Sequence, residues 1–175
     1  MLRAYKLEFQ PLDDDEYAST QAILSIASTG LPGLSEGVFY TRSPFYHYLT
    51  GIVVYIFGEN IWALRLPTVL FGILTGYLIY KICRDLLNSP GVGIASLFLY
   101  SIHPFAIYSS HIARFYQQQQ FFYVLTTYFF VKGFVLKANQ KYAYLTLGSF
   151  LLAVLSQEIS IILGCLLYTS DAADE

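Results

Sequence analysis

Four carboxylates follow one another near the start of the chain, at Asp13, Asp14, Asp15 and Glu16. A block of like charges repels itself and is costly to desolvate, so it must lie in water, at a helix N-terminus or around a cation. An Asp before a helical stretch predicts a helix cap, because its side chain accepts hydrogen bonds from the first free amide groups. A carboxylate fixed there, beside a membrane-embedded cavity, is also well placed to act as a general base.

Cationic residues that could complement these carboxylates come later in the chain, notably Arg65 and Arg114. We expect Arg65 to anchor the top of its helix, and Arg114 either to bind a phosphate or to reach the interface from a helix end. An acidic loop and arginines above a helix bundle predict a site where a hydroxyl is deprotonated and a phosphate is held. Glu158 is a further candidate, because an ionisable residue within a membrane segment commonly has a function.

The histidines His47, His103 and His111 are dispersed and share no metal-ligand spacing, so we predict no metal site from them. A divalent metal stays an open alternative, and the residues indicate no other cofactor. The formal net charge of -2 and the lack of a Lys/Arg stripe argue against nucleic acid as a partner.

Composition indicates an integral membrane protein. Only 13% of the residues are charged and 55% are hydrophobic, whereas an average soluble domain has about 25% charged residues. The chain therefore has too little polar surface to cover a globule. We predict an all-α fold, in which a polytopic transmembrane helix bundle lies beneath an outer loop that carries short interfacial helices.

We assign residues 1–60 to the outer loop and residues 61–164 to the helix bundle. Within the loop, Glu16 to Ser28 predicts a short helix that the Gly and Pro residues of 29–33 end. The stretch from Pro44 to Gly58 starts with Pro at a favourable first-turn position but is shorter than the roughly 20 residues that span a bilayer. It predicts an interfacial or re-entrant helix. Four spans are predicted in the bundle, at 61–82, 91–108, 115–136 and 142–163.

The distribution of positive charge predicts the orientation of these spans. The connections after the first and third spans hold the basic residues Lys81, Arg84, Lys132, Lys137 and Lys141. Cytoplasmic loops are enriched in Lys and Arg, so both connections are expected in the cytoplasm. The acidic run and the turn from Ser109 to Arg114 would then share the outer face.

Both ends of the chain look unlike those of a natural protein. No apolar signal region follows Met1, so nothing would carry the polar N-terminal loop across a membrane. Residues 165–175 break the character of the preceding helix and resemble a translated sequencing-library adapter, so we exclude them from the fold and function predictions. We expect a fragment that lacks its first spanning helix and a long C-terminal part, and that is inactive by itself.

Four motifs, in order, resemble the GT-C membrane glycosyltransferases. They are Asp15-Glu16, residues 43–49 (SPFYHYL), residues 57–67 (FGENIWALRLP) and residues 108–116 (YSSHIARFY). The resemblance is strongest to the branch that contains protein O-mannosyltransferases, lipid A aminoarabinose transferases and rhizobial lipopolysaccharide sugar transferases. It extends from Leu12 to about Leu163.

This resemblance implies inverting transfer of a sugar from a polyprenyl-phosphate donor to an acceptor hydroxyl of a protein, lipid or glycan. The site would face outward from a bacterial or archaeal plasma membrane, in contact with membrane lipid. By match to the family's Asp-Glu pair, Asp15 is the base and Glu16 its neighbour, with Asp14 as the nearest rival. Arg114 matches the family's outer arginine and is the candidate for the lipid phosphate. The full set of predicted substrate-binding residues is Arg114, Asp14, His111 and Glu158.

The principal alternative is a multi-pass transporter or flippase of lipid-linked substrates, in which Glu158 and Arg114 would line a pathway. Against it, the sequence shows neither paired Gly/Pro-broken spans nor an internal repeat. A third interpretation is a non-catalytic membrane scaffold. Only the acidic pair and the arginine separate the scaffold from the enzyme.

Overall fold

The computed structural model describes residues 2–35, 37–137 and 139–165, and the adapter-like stretch from 166 onward lies outside them. The described residues are helical and contain no β-strand, although one isolated bridge joins Gly33 to Phe39. The all-helical prediction is therefore confirmed. The α-helices are α1 (Asp14–Thr29), α2 (Pro44–Phe57), α3 (Ile61–Leu86), α4 (Pro90–Ile102), α5 (Pro104–Tyr108), α6 (Tyr116–Phe130) and α7 (Lys141–Ser156). Shorter turns are the 3-10 helices Leu2–Ala4 and Glu158–Ser160 and the π-helix Val131–Val135.

Local sequence signals set the ends of the first two helices. α1 ends at Gly30, whose φ of 81° lies in the left-handed region that glycine adopts without a steric penalty. α2 begins at Pro44, where the missing N–H costs nothing because no helical acceptor precedes it. The predicted short helix and the predicted Pro-initiated helix of the outer loop are both confirmed as helices.

Of the described helices, α3 alone is long and apolar enough to cross a membrane. It has 26 residues, and its most apolar window has a mean hydropathy of 1.5. The helices α2, α4 and α7 are apolar but shorter. The number of spans predicted from the sequence consequently stays a prediction.

The other predicted spans are divided or shortened. His103 has an extended backbone before Pro104 (φ -65°, ψ 120°), so the stretch 91–108 becomes α4 and α5. α6 passes into the π-helical turn at Val131. α7 ends at Ser156 because Gln157 is extended, and this places Glu158 in a separate 3-10 turn.

The helices pack as neighbouring pairs, α1 with α2, α3 with α4, and α6 with both α3 and α7. The start of α3, the two outer helices and the segment after α5 meet in one buried apolar cluster. Its members are Ile23, Tyr46, Val54, Ala63, Leu64, Ala113 and Phe115. This cluster packs the middle of α1 against the segment that contains Ala113 and Phe115.

Charged groups gather at the two ends of α3, which lie about 39 Å apart at the helical rise per residue. Arg65 lies near the first end, beneath the acidic run. At the second end, Asp85 pairs with Arg84 at 2.9 Å and with Lys132 of the π-helical turn at 3.3 Å. The Tyr128 hydroxyl also donates to Asp85, at 2.6 Å. The structure thus separates an acidic loop from a basic cluster along the length of α3.

Candidate functional site

The acidic run forms the start of α1, as its sequence predicts. Asp13 is the N-cap residue, and its carboxylate accepts from the amide of Asp14 at 2.8 Å. The Glu16 carboxylate reaches back to the amide of Asp13 at 2.9 Å and completes a capping box. Acidic side chains in the first turn also interact favourably with the positive end of the helix dipole. The acidic run therefore has a structural role as the cap of α1. Any chemical role of these carboxylates is in addition to the structural role.

Glu16 differs from its neighbours because it is buried and ion-paired. Its Oε2 lies 2.9 Å from Nη2 of Arg65, and both side chains are at most 1% exposed. Arg65 also donates to the carbonyls of Leu7 (2.6 Å) and Gln10 (2.9 Å). The amide of Ala113 donates to Oε1 of Glu16. One carboxylate thus connects α1, α3 and the segment after α5, and Arg65 acts as the expected anchor.

Asp15 is exposed, and Arg114 lies beside it. Nη1 of Arg114 donates to the main-chain oxygen of Asp15 at 2.6 Å and to the hydroxyl of Ser19 at 3.0 Å. Nε of Arg114 is buried and has no partner among the described residues. The structure therefore brings together the predicted base and the predicted phosphate ligand, from positions 99 residues apart in the chain. The carboxylate of Asp15 remains open to an incoming hydroxyl.

The remaining predicted site residues occupy different surroundings. Asp14 is exposed beside Asp15. His111 lies on the same turn as Arg114, and its Nε2 is buried without a partner among the described residues. Glu158 is exposed after α7, and no ion pair or hydrogen bond within the described ranges joins its side chain to Asp15 or Arg114. Its neighbour Gln157 does accept from the Ser43 hydroxyl at 3.1 Å, which links this turn to the start of α2.

A buried group of polar side chains on α2 was not predicted from the sequence. Tyr46, His47 and Thr50 are each at most 1% exposed, and each has a side-chain atom without a partner among the described residues. Nδ1 of His47 donates to the carbonyl of Ser43 at 2.8 Å, so its Nε2 is a free acceptor. Burial lowers the pKa of His47, and the nearby charge of Arg114 lowers it further. Spacing of three and four residues along an apolar helix is the only sequence signal for this group.

The described residues contain no group of three or more His, Cys, Asp or Glu side chains arranged to hold a metal ion. His47 and His103 make separate contacts. His47 packs against the ring of Tyr40 at a centroid distance of 4.9 Å. His103 caps α5, where its side chain accepts from the amide of Ala106.

A family model described as dolichyl-phosphate-mannose-protein mannosyltransferase matches residues 41–170. The matched region includes Arg65 and Arg114 but begins after the acidic run of α1. Comparison with curated proteins and with solved structures gives no match.

Proposed function

The chain belongs to the dolichyl-phosphate-mannose-protein mannosyltransferase family, and from this membership we propose a specific reaction and specific residues for it. The family is one of GT-C membrane glycosyltransferases, which implies a lipid-linked sugar donor and an acceptor. We propose that the donor is a sugar on polyprenyl phosphate and that the acceptor is a hydroxyl on the non-cytoplasmic side. The observation that carries the proposal is the contact between Arg114 and the backbone of Asp15.

In the proposed reaction Asp15 takes the proton from the acceptor hydroxyl. The acceptor oxygen forms a bond to the anomeric carbon as the bond from that carbon to the phosphate oxygen breaks. A single displacement of this kind inverts the anomeric configuration. The phosphate leaves with the bonding electron pair, and the positive charge of Arg114 stabilises it. Asp15 is suited to the first step because its carboxylate is exposed at the start of α1.

Glu16 acts in this proposal by positioning Asp15. Its carboxylate oxygens already accept hydrogen bonds from Arg65, Ala113 and Asp13. Glu16 therefore has no free lone pair with which to take a proton from the acceptor hydroxyl. Loss of Glu16 would displace the first turn of α1 and with it the base. Asp14 and His111 flank the site as substrate-binding candidates, and Glu158 is a more distant one.

The test is to replace Asp15 with Asn in the full-length protein. Asn keeps the size of the side chain but cannot accept the proton, so transfer should fall by about 10² to 10⁴, the usual contribution of a general base. Transfer of labelled mannose from polyprenyl-phosphate mannose to acceptor would be followed with protein purified in detergent. Equal thermal stability of the wild type and the variant would show that the fold is intact.

Asp14→Asn is the matched control, because Asp14 is equally exposed and adjacent. We expect this variant to keep kcat nearly unchanged, with any effect confined to KM, because Asp14 is proposed to bind substrate and not to take the proton. Full activity in Asp15→Asn would refute the assignment of the base, and an inactive Asp14→Asn would move the role upstream by one residue. A transporter or flippase would show no glycosyl transfer even in the wild type.

A further inference from the structure

A pocket of about 440 Å³ opens between α5 and the first turns of α6. This volume is within the range of about 300 to 1,000 Å³ that is common for small-molecule sites. The wall combines aromatic rings with side-chain amides, and among the described residues no acidic or basic side chain lines it. We call it the glutamine pocket and define it by Phe105, Tyr116, Gln117, Gln119, Gln120 and Tyr123.

Helical spacing puts most of these groups on one surface. Tyr116, Gln119, Gln120 and Tyr123 stand at positions i, i+3, i+4 and i+7 of α6, so they share one face. Tyr116 and Tyr123 border this face along the helix axis, and the two amides lie between them. The pocket thus presents polar groups framed by flat apolar rings.

The amides retain capacity for a ligand. The hydroxyl of Tyr100 contacts both Oε1 of Gln117 and Oε1 of Gln120 at 3.1 Å, yet it has one hydrogen and can donate to one of them at a time. The NH₂ group of Gln120 has no hydrogen-bond partner among the described residues. Gln119 donates to the Ser160 hydroxyl at 3.2 Å, and its carbonyl oxygen stays available. Adjacent side chains therefore offer one donor group and one acceptor.

We infer that the glutamine pocket holds the neutral sugar ring of the lipid-linked donor. Sugar hydroxyls both donate and accept hydrogen bonds, as Gln119 and Gln120 require, and the C–H face of the ring can pack on Tyr116 or Tyr123. An acyl chain in the same place would leave the amides unpaired. A phosphate would need a cation in the wall.

The position of the pocket agrees with a bound sugar ring. The assignment of this occupant rests on the proposed function. The guanidinium of Arg114 lies 5.8 Å from the centroid of the Tyr116 ring, which itself lines the pocket. A sugar in the pocket would accordingly have its phosphate directed toward Arg114, whose guanidinium also donates to the main-chain oxygen of Asp15. The pocket supplies selectivity for the sugar, whereas the reaction takes place at its edge.

Photo-crosslinking tests the location directly in the full-length protein. Two forms of polyprenyl-phosphate mannose would be used, with a diazirine either on the sugar or on the lipid chain. We expect the sugar-borne group to label the peptide containing residues 115–124, and the lipid-borne group to label another region. Sugar-borne labelling elsewhere would overturn the inference. Absence of labelling by both probes would overturn the proposed function together with it.

Kinetics give a second, independent measurement. Gln120 is exposed, so Gln120→Leu should fold normally while removing the donor group. The loss of one neutral hydrogen bond should raise the KM for polyprenyl-phosphate mannose by about three- to tenfold with kcat nearly unchanged. Gln140→Leu, an exposed site before α7, is the matched control and should leave KM unchanged. If Gln120→Leu keeps the wild-type KM while Asp15→Asn abolishes transfer, the sugar site is wrong and the proposed function stands.

Discussion

At the scale of single residues, the buried pair of Glu16 and Arg65 is the part of the site most sensitive to change. Each buried charge is compensated by the other, and Oε2 of Glu16 lies 2.9 Å from Nη2 of Arg65. Removal of one partner leaves an unpaired buried charge, which typically costs about 3 to 5 kcal/mol. We expect Glu16→Leu and Arg65→Met each to lower the melting temperature of the purified full-length protein strongly.

The double variant distinguishes the interaction between the two charges from the packing that each side chain provides. In Glu16→Leu with Arg65→Met neither charge remains, so the loss of stability should be smaller than the sum of the two single losses. Differential scanning fluorimetry of all three variants measures the coupling. Strictly additive shifts in melting temperature would show that the two side chains do not depend on each other.

The sequence predicts the cap formed by the acidic run, but it does not distinguish the four carboxylates by simple inspection. The structure shows that Glu16 lies on the buried face of α1 together with Ser19, Thr20 and Ile23. These positions have the spacing i, i+3, i+4 and i+7, so helical periodicity could have placed Glu16 inside and Asp15 outside. Its partner Arg65 could not be derived this way, since 49 residues separate the two. The catalytic and binding roles of Asp15 and Arg114 remain predictions.

At the scale of helices, the crossing of α1 over α2 depends on the lack of a side chain at Gly51. A Cβ atom there would lie 2.7 Å from Cγ2 and 3.2 Å from Cβ of Ile26. Ile is branched at Cβ and has little rotamer freedom to withdraw. Gly51→Ala should therefore push α1 away from α2 and destabilise the protein by about 1 to 3 kcal/mol.

Gly148→Ala is the control for helix propensity. Gly148 lies within α7, and a Cβ atom added there would meet no neighbouring atom within 4 Å. Alanine should be neutral or stabilise the helix there, by up to about 1 kcal/mol. Melting temperatures of both variants distinguish the effects. A Gly51→Ala variant as stable as Gly148→Ala would mean that the two outer helices are not tightly packed.

The sequence predicts the end of a helix where a local signal such as Pro or Gly determines it. An end that a tertiary contact determines is harder to predict. Pro44 and Gly30 mark ends that the sequence identifies. Pro104 carries an equally clear signal, but the apolar run around it led to one long predicted span. The end of α7 has no Gly or Pro, and Gln157 instead contacts Ser43, the residue just before α2. Such a contact has no signature in the local sequence.

At the scale of the whole molecule, the two ends of α3 differ in chemistry. One end carries the acidic cap, Arg65 and the turn with Arg114, and the other carries Arg84, Asp85 and Lys132. Lys81 joins the second end, with its Nζ 5.7 Å from the centroid of the Tyr128 ring. In a membrane protein, an end rich in Lys and Arg is typically cytoplasmic. The proposed site would then face away from the cytoplasm, where a lipid-linked sugar and an acceptor would meet.

This orientation predicts the accessibility of three positions in intact cells. Asn88 and Asn139 follow the basic end of α3 and the π-helical turn, so both should be cytoplasmic, whereas Leu34 in the loop after α1 should be outside. Single cysteines at these positions, in a background without Cys83 and Cys165, would be probed with a membrane-impermeant thiol reagent. We expect Leu34→Cys to react in intact cells, and Asn88→Cys and Asn139→Cys to react only after permeabilisation. The reverse pattern would place the acidic cap and Arg114 in the cytoplasm, and a non-cytoplasmic transfer site built on them would be excluded.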